Sequence, residues 1–443
     1  MPNLSKLKAD ANQIITRVIA DNMPTQAVIN ALQNHKTTKR LHVIAIGKAA
    51  WTMAKAASDY LGDRLISGIV ITKYNHSRGA LPHIDIFEAG HPVSDENTIL
   101  ATQKCIKLAA SLTENDELLF LISGGGSALF EAPADGITLE DVQNINAQLL
   151  ASGADIVEIN MIRKRLSSVK AGRFASLVAP CDIFAIVLSD VLGDRLDSIA
   201  SGPVTADMST TQDAMYVVEK YNLILTEQQK KCLMADTPKE ITNVKTAITG
   251  SVRTLCDAAA NATCKMGYTP FVLATTMNCE AREAGRLLAS MAVEAATQSA
   301  NSRNVDGDAL YEKPDDFGNY DECRPRRSVN FSPPCAIILG GETVVTLKGN
   351  GKGGRNQEFA FAAAKGIAGF DNIVILSLGS DGTDGPTDAA GGIVDGTSFA
   401  KIKGYDKILA NNDTYNGLKA IDGLIITGPT GTNVNDVAIA LIG

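Results

Sequence analysis

Lys48 follows an apolar run at 43–46 and Gly47, and a helix is predicted to begin at Ala49. Free backbone N–H groups at a helix start favour an anion, and a lysine beside them can neutralise a phosphate or a carboxylate. A surface lysine in a strand-to-helix turn is the plain alternative. The run 118–122 ends in Ser123-Gly124-Gly125-Gly126-Ser127, where three glycines let successive N–H groups curl around an anion. A flexible turn is the alternative there. Asp190 lies in Ser189-Asp190-Val-Leu-Gly193-Asp194, directly after the run 183–188. An acid at a strand end can hold Mg²⁺ or take a proton from a hydroxyl, and it can equally cap a turn.

The C-terminal half carries a second set. Lys348-Gly-Asn-Gly-Lys352-Gly353-Gly354-Arg355-Asn-Gln-Glu358 joins glycines and positive charge to a predicted helix start. Such a loop suits a polyanion, with Arg355 placed to grip a carboxylate or phosphate in two-pronged fashion. Asp381 and Asp384 follow the run 373–378 and offer oxygen ligands for Mg²⁺; the spacing is not that of an EF-hand. Thr430 and Asn433, in Gly428-Pro-Thr430-Gly-Thr-Asn433, bring a hydroxyl and an amide to another strand end.

Common nucleotide and hydrolase signatures are missing. There is no Walker A loop. Asp316-Phe-Gly318 occurs without any His-Arg-Asp, so it reads as chance. Gly349, Gly351 and Gly354 match the dinucleotide pattern, but no acid ends the strand that follows, so the match is discounted. All five histidines lie between His35 and His91, so a serine-hydrolase triad has no downstream base.

The elements that must position these residues alternate. Strands are predicted at 42–46, 68–71, 118–122 and 183–188, with helices at 11–34, 49–60, 99–110, 138–150 and 156–178. That pattern predicts an α/β fold with a mostly parallel sheet covered by helices on both faces. A polar stretch at 205–240 suggests a domain boundary, giving units 1–240 and 241–443. In the second unit, strands are predicted near 247–250, 271–274, 336–339, 343–347, 373–378, 424–427 and 437–442, with helices near 252–266, 279–298 and 356–368. The segment 301–334, polar and rich in turn residues, reads as a connector or surface loop.

The formal net charge is -8, which gives no general attraction to nucleic acid or an anionic membrane. No signal peptide or bilayer-spanning run is visible, so a cytoplasmic location is expected. The eight cysteines include no Cys-x-x-Cys pair, which argues against a zinc knuckle.

Taken together, these motifs resemble the glycerate 2-kinase family, whose members have also been described as hydroxypyruvate reductases. The resemblance rests on Ala45-Ile-Gly-Lys-Ala-Ala50, Glu88-Ala-Gly-His-Pro-Val-Ser-Asp95, Ile122-Ser-Gly-Gly-Gly-Ser-Ala128, Lys170-Ala-Gly-Arg173, Leu188-Ser-Asp-Val-Leu-Gly-Asp194 and Ser201-Gly-Pro203. It continues through Gly340-Gly-Glu-Thr343, Gly351-Lys-Gly-Gly-Arg-Asn-Gln-Glu358, Ser380-Asp-Gly-Thr-Asp-Gly-Pro386 and Gly428-Pro-Thr-Gly-Thr-Asn-Val-Asn-Asp436. It implies an N-terminal Rossmann-like domain and a smaller C-terminal α/β domain with a mixed sheet. It also implies ATP-dependent phosphorylation of D-glycerate at the 2-hydroxyl, with ATP and Mg²⁺ as cofactors. Lys48 and Arg355 fall on the family's essential lysine and arginine, and Asp190 on its Ser-Asp strand-end motif. A monomer or homodimer working on small molecules is expected, with no nucleic-acid or membrane partner. Two alternatives stay open at this point: an NAD(P)H-dependent hydroxypyruvate reductase and a non-enzymatic sensor of small anions or nucleotides.

Overall fold

The structure, a computed structural model, describes residues 4–189, 191, 193, 195–302 and 331–443. The chain forms two compact units. One comprises 22–251 with 431–434; the other comprises 1–21, 252–430 and 435–443. The division thus falls at 21/22 and 251/252, where the sequence suggested 240/241. The polar stretch that suggested a boundary instead carries two short helices, Thr211–Lys220 and Glu227–Leu233, inside the first unit.

In the first unit, β1 (Arg40–Ile46), β2 (Leu65–Lys73), β3 (Ile84–Ala89), β4 (Asp116–Ile122), β5 (Asp182–Leu188) and β6 (Val244–Gly250) form one sheet in the order β3-β2-β1-β4-β5-β6. Every pairing is parallel. β1 and β4 pair residue for residue, from Arg40 opposite Asp116 to Ile46 opposite Ile122. Side chains alternate along each strand: Ile44 and Ile46 enter one apolar cluster with Phe120 and Phe174, while Val43 and Ala45 enter the other with Leu119 and Met53. Both faces are covered, which is why these strands read as continuous apolar runs. A third cluster, including Ile145, Leu149, Ile162 and Val217, holds the helices of 138–233 together.

In the second unit, β7 (Thr269–Met277), β8 (Cys335–Gly341), β9 (Ile373–Gly379), β10 (Gly391–Asp395), β11 (Leu424–Ile425) and β12 (Asp436–Ile442) form a mixed sheet. The order is β11-β10-β9-β12-β8-β7, with only β7 and β8 parallel. The two-domain α/β architecture with a parallel first sheet and a mixed second sheet therefore matches expectation.

Several details differ. The predicted helix at 11–34 is two helices, Leu4–Asp21 and Pro24–Gln33, because Pro24 has no N–H to continue a helix and instead starts one. The predicted helix at 156–178 is split into Ile156–Arg165 and Arg173–Val178, with Ala171 and Gly172 at positive φ between them. Residues 343–347 form no strand; Val344 makes one isolated bridge to Glu280. β3 and β10 are short strands that the apolar pattern did not mark. Most of the proposed connector, 303–330, lies outside the described residues.

Helix Leu4–Asp21 shows why the unit boundary is discontinuous. Its apolar stripe, Leu7, Ala11, Ile14 and Val18, is fully buried, and the helix packs against helix Val252–Lys265 and β9. Tyr268 donates to Asp10 at 2.7 Å, and Lys8 pairs with the buried Asp395. Truncating Ile14 to alanine therefore destabilises the C-terminal unit by about 2–5 kcal/mol. Hydrogen exchange should show added opening in β9 and helix Val252–Lys265, with the parallel sheet unaffected; a loss confined to the parallel sheet would contradict the packing.

Candidate functional site

β1 and β4 are the neighbours at which the strand order reverses, and the crevice beyond such carboxyl ends is where open α/β sheets bind ligands. Here the turns after both strands are joined. Gly47 N–H donates to the Ile71 carbonyl at 3.1 Å and Lys48 N–H to the Gly124 carbonyl at 2.9 Å. Ser123 N–H donates to the Ile46 carbonyl at 2.9 Å, and the Ser123 hydroxyl accepts from Ala49 N–H at 3.1 Å. A Cβ on Gly47 would lie 2.4 Å from the Ser123 carbonyl oxygen, and Gly47 has φ +112°. Only glycine fits both constraints. Lys48 then immediately precedes helix Ala50–Leu61, whose N-cap, Ala49, has no side-chain cap.

The 123–127 turn is surrounded by cationic and imidazole groups. Gly125 has φ +83°, and a Cβ there would meet the His91 ring at 2.8 Å and Lys48 Cε at 3.4 Å. His91 and Lys48 thus flank one α-carbon. His76 Nδ1 lies 3.2 Å from the Lys48 carbonyl. Glu88 holds this segment by accepting from His76 N–H at 3.1 Å and Ser77 N–H at 2.9 Å. Burial, followed by Lys48, Lys73 and His76, pushes the His91 imidazole down to about 4, so it is neutral at pH 7.

Buried ion pairs underlie the turn. Lys170, 1% exposed, donates to the Ser127 carbonyl at 2.8 Å and pairs with buried Glu131. Burial pushes the Lys170 pKa down, and Glu131 opposes that. Ser201, at φ +60°, places its hydroxyl 3.3 Å from Ser127 Oγ and donates to Asn160 at 2.9 Å. Lys164 meets Asp197 at 3.2 Å and Asp207 at 3.4 Å.

The C-terminal unit builds a different cluster. Arg355 opens helix Arg355–Gly366; its Nε and Nη2 donate to Asp436 at 2.5 and 3.1 Å, and Nη1 donates to Glu342 at 2.9 Å. Burial works against the guanidinium charge, but Asp436 and Glu342 outweigh it and raise its pKa. Asp384 Oδ1 accepts from Asn356 N–H at 3.2 Å, and Oδ2 from Gln357 N–H at 2.8 Å. A carboxylate of the chain therefore occupies the helix start that the sequence offered to a phosphate. The preceding loop is also satisfied internally. The N–H groups of Lys348 and Gly349 donate to Asn412, that of Asn350 to Asn411, and that of Lys352 to Asp413. Lys352 is exposed, with its ammonium 4.0 Å from the centre of the Tyr415 ring.

Of the residues singled out from sequence, Lys48 and Ser123 to Ser127 come together in the N-terminal unit. Arg355 and Asp384 come together in the C-terminal unit, with Gly353 and Gly354 in the loop before the helix. Thr430 donates through its hydroxyl to the Ser380 carbonyl at 2.6 Å and through its N–H to the Asp381 carbonyl at 3.1 Å. Asn433 belongs to 431–434, the short segment of the N-terminal unit. Asp190 lies outside the described residues. Asp381 Oδ1 accepts from Thr383 N–H at 3.0 Å. Among the described residues no three metal-ligating side chains cluster. A hard cation met by one or two carboxylates and by phosphate oxygens fits this donor set; an all-protein cage does not. Asp384, with both oxygens on helix amides, is poorly suited to a metal.

Sequence reasoning passed over His91, Lys73, His76, Lys170 and Glu131. His91 and Lys170 stood within the quoted motifs, but their relation to the glycine turn depends on strand order.

Residues 10–234 match the family described as "Domain of unknown function (DUF4147)", and residues 335–436 match the MOFRL family. The chain is 47% identical over 440 residues to the D-glycerate 2-kinase of Thermotoga maritima, covering 98% of each chain. It is 37% identical over 463 residues to the glycerate 2-kinase of Pyrococcus horikoshii, again covering 98% of each. The crystal structure of glycerate kinase from Thermotoga maritima superposes with a TM-score of 0.89 at 45% identity, covering 99% of this chain and 100% of that one.

The Asp384 carboxyl is buried against the start of helix Arg355–Gly366. Burial raises its pKa from 3.8 to about 6, while the amides of Gln357 and Asn356 pull the other way. The folded state therefore binds more protons than the unfolded state between those values, and stability falls as pH rises through that window. The unfolding free energy of the wild type minus that of Asp384→Asn should fall by on the order of 2–3 kcal/mol from pH 4 to pH 7. A difference that stays flat or rises in denaturant titrations would mean that the carboxylate is ionised throughout.

Proposed function

The chain belongs to the glycerate kinase family, and on that premise we propose that it transfers the γ-phosphoryl group of ATP to the 2-hydroxyl of D-glycerate, yielding 2-phosphoglycerate and ADP. The observation that carries the reading is the glycine turn beside Lys48 at the reversal point of the parallel sheet. Phosphoryl transfer needs alignment and charge neutralisation more than covalent chemistry from the protein. A fixed turn with a lysine and neutral imidazoles supplies both without a nucleophile. The 2-hydroxyl oxygen bonds to the γ-phosphorus as the bond to the bridging β,γ-oxygen breaks, in one in-line step.

In this reading Lys48 neutralises developing charge on the transferring group or orients the hydroxyl, and 123–127 offers backbone dipoles to an anion. Asp190 takes the hydroxyl proton or serves the metal. Arg355, oriented by Asp436, meets a carboxylate or phosphate oxygen, with the more exposed Glu342 as the partner that gives way. Mg²⁺ would supply charge neutralisation on the phosphates when bound; Asp190 or Asp381 would contribute a carboxylate oxygen to it.

The reductase alternative needs a dinucleotide cradle. The Gly349, Gly351 and Gly354 match does not favour one: it follows no strand directly, and its amides at 348–352 are bonded to 411–413.

Purified protein with D-glycerate, ATP and Mg²⁺ should yield 2-phosphoglycerate and equal ADP by phosphorus NMR. The 3-phospho isomer alone would overturn the regiochemistry. NADH oxidation by hydroxypyruvate without phosphoryl transfer would overturn the class. Folded Lys48→Ala and Arg355→Ala variants should each lose at least about a hundredfold in kcat/KM, roughly 3 kcal/mol of transition-state stabilisation. Since Arg355→Ala strands the buried Asp436, Arg355→Lys keeps a charge there and should still lose most of the activity. Near-normal kinetics would remove the residue from the proposed site. Recovery of Asp190→Asn at high Mg²⁺ would assign the metal role, and loss at every Mg²⁺ concentration with ATP binding intact would assign proton removal.

A further inference from the structure

We propose that the His91 imidazole, together with Lys48, hydrogen-bonds an anionic oxygen of the bound ligand, a carboxylate or a phosphate. The inference deepens the kinase reading and rests on it for the identity of the ligands.

The route of the chain is the first support. His91 follows β3, at the edge of the sheet, yet its ring packs against Gly125, which follows β4. Those strands are three positions apart in the order, so at about 4.8 Å per strand the segment reaches across roughly 14 Å of strand ends. That route is fixed on its far side. Ser94 donates through its hydroxyl to the Ala128 carbonyl at 2.7 Å, and Gln143 donates to the Ser94 carbonyl at 2.8 Å. Asp95 caps helix Glu96–Ser111 through Thr98 N–H and accepts from Tyr74 at 2.6 Å.

The second support is chemical. The other partly buried imidazoles have partners: His35 has Glu117, His42 has Ser67, and His76 has the Lys48 carbonyl. Among the described residues neither ring nitrogen of His91 has a hydrogen-bond partner, although the ring is partly buried. A partly buried imidazole facing a turn of backbone amides is positioned to meet a ligand oxygen.

The third is electrostatic. Lys48 after β1, Lys73 at the end of β2 and His76 in the following segment all oppose a positive charge on His91. The nearby acids are occupied: Glu88 by the amides of His76 and Ser77, Asp95 by Thr98 and Tyr74. The 123–127 turn contributes no titratable side chain. The hydrogen bonds to Glu88 and Asp95 hold them in place without removing their charge, and Lys48 and Lys73 are the cations that act on the ring. An anion arriving between the lysines and the imidazole favours protonation of the ring.

The test begins with the wild-type chain. Its five histidines are labelled with ¹³C and ¹⁵N, and the His91 resonance is assigned with His91→Gln. The ring is titrated with pH in the presence of D-glycerate and, separately, a non-hydrolysable ATP analogue. One of them should raise the His91 midpoint by about one pH unit or more. A response to D-glycerate alone identifies the carboxylate as the partner; a response to the analogue alone identifies the phosphate. No response to either, with both shown to bind by calorimetry, overturns the proposal. His91→Phe, which keeps a ring against Gly125, should raise the KM of the responding ligand at least tenfold, and His91→Gln should recover part of it. Unchanged KM for both substrates in a folded His91→Phe protein also overturns it. If the wild type forms no phosphoglycerate, the kinase reading fails, and the His91 resonance still decides this inference. A His91→Phe chain that does not fold leaves the wild-type titration as the deciding measurement.

Discussion

The close crossing of Gly47 over Ser123 constrains everything placed at the N-terminal site. β1 and β4 run side by side, but β1 leads away to β2 on one side and β4 to β5 on the other. Their exits diverge, which leaves a crevice at the strand ends. The two chains are tied across it by Ser123 N–H to Ile46, Lys48 N–H to Gly124 and Ala49 N–H to the Ser123 hydroxyl. These bonds set where the lysine leaves the backbone and where the glycine turn begins. A methyl group at Gly47 would strike the Ser123 carbonyl, so no small repacking relieves it.

The ion pairs beneath the turn follow from the same constraint. Burying Lys170 and Glu131 is costly, because desolvation rivals their attraction. Apolar residues would serve stability at least as well. What they would not supply is a donor to the Ser127 carbonyl, which Lys170 reaches at 2.8 Å. Ala200 and Ser201 sit at φ +51° and +60°, a conformation that costs on the order of 1 kcal/mol or more for each residue. Ala171 N–H donates to the Ser201 carbonyl and Gly172 N–H to that of Gly202, holding the strained run in place. Costly charge burial and backbone strain meet at one turn, as expected where a fixed arrangement of dipoles matters more than stability.

Much of this was legible in the sequence, and the limits have physical reasons. Continuous apolar runs marked β1, β4 and β5 because both faces of the sheet are buried. β3 escaped because the charged Asp85 and Glu88, on opposite faces, break the apolar run. Lys48 and 123–127 were legible because each lies directly after such a run. His91 was not, since its place beside Gly125 comes from strand order rather than spacing. The loop before Arg355 was misleading for the opposite reason. Its glycines and charges looked open to a polyanion, but Asn411, Asn412 and Asp413, some sixty residues later, take its amides. Side-chain partners so distant in sequence leave no local pattern.

The two helix starts show how one local signal can lead to different outcomes. Both Ala50–Leu61 and Arg355–Gly366 follow glycines and carry a basic residue at the entrance, and neither has a side-chain cap from its own N-cap residue. At the second, Asp384 supplies the negative charge that a helix N-terminus favours, and Asp436 orients the arginine. That cluster holds three carboxylates, from Glu342, Asp384 and Asp436, against one guanidinium, so it has little need of an external anion. At the first, the Ser123 hydroxyl caps Ala49 without bringing charge, and Lys48 and Lys73 are the cations beside the turn. A helix start with an internal carboxylate stabilises the fold; one with only a neutral cap keeps its attraction for an anion. On the proposed reading, that criterion gives anion binding first to the Lys48 turn and leaves Arg355 as an oriented donor whose charge is already shared.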